Sequence, residues 1–90
     1  MNPAERERFR ICLLQQLREA GGDSSLPLST LVLGAKLAGF DNTTEEIVRG
    51  ELVYLLDKGL ATTPQKAISP ENKRWRITAA GTDYLAEAGL

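Results

Sequence analysis

The stretch "WRITAAGTDYL", residues 75–85, changes character at its middle. From Trp75 to Ile77, large apolar side chains flank an arginine, an alternation typical of a half-buried strand. From Thr78 onward the residues are small and compatible with a helix, and threonine is a favoured N-cap residue. The stretch therefore predicts a strand that passes through one threonine directly into a short helix of about residues 79–88.

A β-hairpin is predicted at about residues 60–77. Residues 60–63 form a short strand-like run, and a polar loop containing prolines separates this run from the returning strand. By simple alternation Trp75 faces the core, whereas Arg74 and Arg76 face the solvent.

Three helices are predicted ahead of the hairpin, at about residues 3–20, 28–38 and 44–58. Thr43, followed by Glu46, favours a capping box at the start of the third helix. Gly39 ends the second helix, and the few residues between these two helices suit a helix-turn-helix connection. The chain has only 90 residues, so we expect a single domain over residues 1–90.

The first helix has two apolar faces. The residues at helical spacing on its core face are Phe9, Cys12, Leu13, Leu17 and Ala20. Ile11 and Leu14 fall near the opposite face, where either the last helix of the same chain or a second copy has to cover them. Because the last helix consists largely of small residues, we predict a homodimer. Its interface residues are Ile11, Leu14, Leu85 and Leu90.

The composition excludes most catalytic and metal-binding chemistry. The chain has no histidine and one cysteine, Cys12, so Ser–His and Cys–His pairs, histidine-bearing zinc sites and four-cysteine zinc sites are all impossible. Its glycines fit neither a dinucleotide-binding motif nor a Walker A loop. We therefore expect a protein that is not an enzyme and that needs no metal and no cofactor.

The hydropathy pattern predicts a cytoplasmic protein. Apolar residues make up 42% of the chain and charged residues 26%, as in ordinary soluble domains. The longest uncharged stretch, residues 24–35, is interrupted by Pro27 and Gly34 and is too short to cross a bilayer. The N-terminal segment has no signal-peptide pattern, so we expect no association with a membrane.

The order of the predicted elements resembles the winged helix-turn-helix family. Three helices are followed by "LLDKGLA", residues 55–61, which leads into the hairpin, and by "WRITAAGTDYL", which leads into a helix. The chain is most similar to the MarR-like, PadR-like and ArsR-like regulators of bacteria and phages. The resemblance covers nearly the whole chain. It implies a mainly α fold with a small β-hairpin and a transcription regulator carried by a bacterium, phage or prophage.

The resemblance also implies which residues contact double-stranded DNA. In that family the third helix enters the major groove, which assigns base contacts to Thr43, Thr44, Arg49, Gly50 and Val53. The hairpin, or wing, contacts the DNA backbone or the minor groove, which assigns phosphate contacts to Lys66, Lys73, Arg74 and Arg76.

The distribution of charge departs from the usual pattern of the family. Residues 41–59 carry two basic and five acidic side chains, a net charge of −3, which phosphates repel. Residues 60–77 carry four basic side chains and one acidic side chain, a net charge of +3. Two functions stay open for a chain that resembles this family and has an acidic third helix: a DNA-binding regulator, which we favour, and a winged-helix module that binds another protein. Salt-dependent binding of duplex DNA separates them.

Overall fold

A computed structural model describes residues 1–21, 24–64 and 73–90. These residues form four α-helices: α1 (Pro3–Glu19), α2 (Leu28–Leu37), α3 (Glu45–Asp57) and α4 (Ala79–Glu87). They also form three short strands: β1 (Leu26–Pro27), β2 (Ala61–Thr62) and β3 (Arg74–Ile77). Every helix begins and ends within one residue of the bounds expected from the sequence. The mainly α fold with a small antiparallel sheet is confirmed.

The sheet has a strand that the sequence did not predict. Its order is β1-β3-β2, with β3 in the middle. Leu26 of β1 pairs with Trp75, and Ala61 of β2 pairs with Ile77, both in antiparallel register. β1 is only two residues long and contains Pro27, so neither alternation nor strand propensity marks it. The predicted wing is thus part of a three-stranded sheet.

Side chains cap the N-termini of α1, α3 and α4, whereas Pro27 at the start of α2 provides no side-chain cap. The Oδ1 atom of Asn2 accepts a hydrogen bond of 2.8 Å from the backbone N–H of Glu5 at the start of α1. Thr44 caps α3, with Oγ1 accepting from Ile47 N–H at 3.2 Å. The expectation that Thr43 caps α3 is therefore wrong by one residue. The capping box does not form either, because the third helical position is Ile47, which has no polar side chain.

α1 lies at the centre of the fold. It contacts α2, α3, α4 and β3, and its buried surface is therefore wider than a single stripe. The fully buried large side chains come from all four helices: Phe9, Leu13, Leu14, Leu17, Leu31, Val48, Leu52, Leu55 and Leu85. Trp75 joins them from β3 at 2% exposure, as the alternation in the sequence predicted.

The burial of Leu14 and Leu85 corrects the predicted dimer interface. Both side chains are fully buried within one chain, so they cannot present an apolar surface to a second copy. Ile11 is partly buried and packs against the core, and Leu90 is 48% exposed. The physical reason is that α4 covers the side of α1 that a single-stripe interpretation leaves bare. Dimer formation itself stays a prediction.

The junction in "WRITAAGTDYL" is fixed by the turn that follows α3. Thr78 Oγ1 caps α4 by accepting from Gly81 N–H at 3.0 Å, and it also donates to the carbonyl of Gly59 at 2.6 Å. The backbone N–H of Thr78 donates to the carbonyl of Leu60 at 3.1 Å. Gly59 has a φ of +75°, a conformation that glycine adopts without strain. One threonine therefore holds β3, α4 and the end of α3 together.

Candidate nucleic-acid interface

The outer face of α3 is the surface on which the sequence placed the base contacts. Val48, Leu52 and Leu55 bury the inner face of the helix against the core. The side chains on the opposite side are exposed: Glu45, Glu46, Arg49, Gly50, Val53 and Asp57. The fold brings the candidate residues Arg49, Gly50 and Val53 together on one open helical surface.

Thr43 is not part of this surface. Its side chain is 5% exposed, and its hydroxyl donates to the carbonyl of Phe40 at 2.5 Å. A side chain buried in this way cannot reach a base, so we withdraw Thr43 as a candidate contact. Its neighbour Thr44 is exposed at the start of α3, and its hydroxyl proton is available to an external acceptor because the oxygen serves as the cap.

Glu51 does not contribute to the outer face, although the sequence count includes it. Its carboxylate accepts a hydrogen bond of 2.5 Å from Arg10 Nε and lies 3.7 Å from Arg6 Nε, both on α1. The Arg10 and Glu51 side chains are only 18% and 16% exposed. The net charge of −3 in residues 41–59 therefore overstates the negative charge that α3 presents outward.

Arg10 also packs against the side of α3 that carries Tyr54. Its guanidinium lies over the ring of Tyr54, with 3.6 Å between Cζ and the ring centroid. A cavity of about 330 Å³ opens beside this pair, and Lys58 and Tyr84 line it as well. The hydroxyl of Tyr84 donates to Glu7 of α1. Sequence reasoning overlooked Arg10, because a pairing across 41 residues leaves no local signal.

The base of the wing is less accessible than the sequence suggested. Arg74 is exposed, but Nε donates to Ser25 Oγ at 2.9 Å and a terminal nitrogen donates to the Ser25 carbonyl at 2.6 Å. Arg76 is half-buried, and the ammonium of Lys73 lies 5.4 Å from the centroid of the Trp75 ring. Lys66, the fourth predicted phosphate contact, lies outside the described residues.

Three further observations concern the described residues: the Cys12 thiol, the metal-binding side chains and the length of the apolar helices. Burial raises the pKa of the Cys12 thiol above its usual range; a contact from Gln16 partly offsets the effect, and Glu19 adds a smaller increase. Within residues 1–21, 24–64 and 73–90, no three side chains of the metal-binding types cluster together. None of the helices in these ranges is both long and apolar enough to span a bilayer.

Comparison with known proteins supports the architecture. No protein-family model matches the chain, and no curated protein matches it either. Among solved structures, the chain is similar to a PadR-like transcriptional regulator from Bacillus cereus, with a TM-score of 0.65 and 20% sequence identity. The similarity covers 87% of this chain and 74% of that chain. The chain therefore has the winged-helix fold of a PadR-like transcriptional regulator.

Proposed function

We propose that the chain is a DNA-binding transcription regulator that inserts α3 into the major groove. The observation that carries the proposal is the division of α3 into a fully buried inner face and an outer face that is exposed from Glu45 to Asp57. A helix held in this way on a helix-turn-helix scaffold has the shape that the major groove admits. The fold shared with a PadR-like transcriptional regulator supports the same function.

The basic side chains at the base of the wing support a role for this region in binding phosphates. Lys73 precedes the central strand β3, and Arg74 is its first residue; both side chains are exposed. Arg76 lies two residues further on, on the same face of the strand as Arg74. The Arg74 guanidinium has nitrogen donors beyond those engaged by Ser25, so it can bind a phosphate while it keeps those bonds. Pairing of Glu51 with Arg10 removes one repulsive charge from the approach of α3.

The remaining acidic residues limit the affinity of a single copy. Glu45, Glu46 and Asp57 are exposed on α3, and the net charge of the whole chain is −1. Phosphate contacts are the main source of nonspecific affinity, so one copy should bind weakly. We propose that two copies act together on one duplex, because a second set of contacts raises the overall affinity. Of the interface residues predicted from the sequence, only Ile11 and Leu90 are accessible.

Salt-dependent binding tests the proposed function. The intact chain is titrated into a fluorescent duplex of random sequence, and anisotropy is followed from about 50 to 200 mM NaCl. Three phosphate contacts predict that log K falls with log salt with a slope of about −2.7, roughly 0.9 per contact. Arg76→Ala should lower the slope by about one unit. Lys36→Ala removes an exposed cation from α2 and is the matched control, with no expected change.

Protein binding is the second candidate function, and two exposed leucines favour it. Leu33 and Leu37 lie one turn apart on the outer side of α2, at 57% and 80% exposure. Adjacent exposed apolar side chains mark contact surfaces, whereas single exposed ones are common on any protein. Failure of the chain to bind duplex DNA at the lowest salt would contradict the proposed DNA binding and favour this alternative.

The oligomeric state is tested separately. Light scattering at micromolar concentration should give the mass of two chains for the parent protein. Ile11→Glu should give a folded single chain, since a charge at this partly buried position opposes apolar pairing. Gln15→Glu, on the same helix, introduces the same charge at a polar position and is the control. A parent protein with the mass of one chain contradicts the proposed dimer.

A further inference from the structure

We propose that α3 recognises thymine through an apolar notch formed by Gly50 and Val53. The inference rests on the proposed DNA binding and names the base feature that the same helix reads. Thymine carries a C5-methyl group in the major groove, the one apolar group that a base edge presents there. The notch matches this group in its apolar character.

Gly50 forms the floor of the notch. It lies in the middle of α3, on the outer face, and an added Cβ would meet no atom of the described residues within 4 Å outside its own helix. Packing within the described chain therefore does not require a glycine at this position. A glycine in the interior of a helix destabilises the helix relative to alanine. Its benefit is that an external group can approach the backbone of α3 closely.

Val53 forms the wall of the notch. It lies three residues after Gly50, on the same side of the helix, and its side chain is 46% exposed. Together with the bare Cα of Gly50, this half-exposed valine provides a small apolar surface. Two larger apolar side chains of α3 are also exposed, at 37% each: Ile47, three residues before Gly50, and Tyr54, four residues after it and under the Arg10 guanidinium.

The charges around the notch favour a base edge over the DNA backbone. Glu46 lies one turn before Gly50, and Asp57 lies one turn after Val53, both exposed. Carboxylates repel phosphates but accept hydrogen bonds from the amino groups of cytosine and adenine. No carboxylate of the described residues lies within ion-pair distance of Arg49, which leaves its guanidinium available at the edge of this surface. The notch therefore suits the floor of the groove, with the phosphates to the side.

Thymine-to-uracil substitution tests the proposal, because uracil lacks only the C5-methyl group. Duplexes that bind the intact chain are first selected from a random 20-base-pair pool, about two helical turns long. Each thymine of a selected site is then replaced by uracil, one position at a time. We expect a loss of affinity of about threefold to fivefold at one or two positions, the effect of one buried methyl group. Uracil outside the site should change nothing.

Variants assign the effect to the notch. In Val53→Ala the sensitivity to uracil should disappear at the position that the valine contacts, because coupled groups lose their effects together. Gly50→Ala should raise the melting temperature through better helix propensity and still lower the affinity for the thymine site at least threefold. Leu33→Ala, an exposed apolar residue on α2, should leave the uracil effect unchanged.

The outcomes distinguish this inference from the proposed function. Salt-dependent binding with equal affinity for thymine and uracil duplexes overturns the notch and leaves DNA binding intact. A uracil effect that persists in Val53→Ala also overturns it. Absence of binding to every duplex overturns the proposed function, and the notch with it.

Discussion

Gly81 lies so close to the backbone carbonyl of Leu60 that a Cβ at residue 81 would collide with that oxygen. The same Cβ would lie 2.7 Å from Cγ1 of Ile77. The start of α4 thus packs directly on the turn that links α3 to β2, with no room for a side chain between them. This contact explains why a glycine follows the strand in "WRITAAGTDYL".

Gly81→Ala should lower the stability of the fold. The neighbouring carbonyl belongs to the backbone and cannot move without displacing the chain. We therefore expect the free energy of unfolding to fall by about 1–3 kcal/mol, typical of overpacking. Urea unfolding followed by circular dichroism measures it. Gly50→Ala, where the added Cβ meets open space, should be neutral or stabilising. Equal effects of the two substitutions would contradict the close contact at Leu60.

Trp75→Ala should be among the most destabilising single changes. Trp75 is 2% exposed and pairs with Leu26 across the sheet, so its removal leaves a large cavity between the sheet and the helices. The expected loss is about 3–5 kcal/mol. Thermal denaturation provides the measurement, and a melting temperature within about three degrees of the parent would refute the role of Trp75 in the core.

The N-cap residue Thr44 should contribute measurably to the stability of α3. Thr44→Ala removes the N-cap and should cost about 0.5–2 kcal/mol. Thr44→Asn keeps a capping oxygen and should restore most of that stability. Thr43→Ser keeps the hydroxyl that donates to Phe40 and serves as the matched control. Full stability in Thr44→Ala would mean that another residue caps α3.

The Arg10–Glu51 pair should stabilise the contact between α1 and α3. Both side chains are mostly buried, and a hydrogen bond between charged partners contributes about 1.5–3 kcal/mol. Glu51→Gln should therefore destabilise the fold by an amount in that range. Glu46→Gln removes an exposed carboxylate five residues earlier in the chain and should change stability by less than about 0.5 kcal/mol.

A double-mutant cycle with Arg10→Gln isolates the pairwise contribution. Additive effects of Arg10→Gln and Glu51→Gln would show that the two side chains act independently. The cation–π contact of Arg10 with Tyr54 remains a separate contribution, because it does not involve Glu51.

The helices and most of the core could be predicted from the sequence, because their signals are local. Caps, glycine stops and 3.6-residue periodicity lie within a few residues of the features they specify. Leu14 shows the limit of these local signals. It lies on α1 as predicted, but periodicity alone cannot reveal that it is buried, because α1 is surrounded by α2, α4 and the sheet.

The candidate site was predictable in outline and wrong in detail for a related reason. Alternation placed Arg74 on the outer face of β3, but its bonds to Ser25 depend on the pairing of strands far apart in sequence. Thr43 and Thr44 are equally good caps by composition, and only the backbone path decides which one is buried. Charge counted along the chain likewise treats Glu51 as exposed, although Arg10 neutralises it.

β1 also determines how the sheet can meet other molecules. Its outer edge consists of Leu26 and Pro27 only, proline has no N–H to donate, and α2 begins at the next residue. Edge strands recruit further strands through runs of unpaired backbone groups, and this edge has almost none. Strand addition at β1 is therefore blocked, so a second copy that approaches this side of the sheet has to bind through side chains.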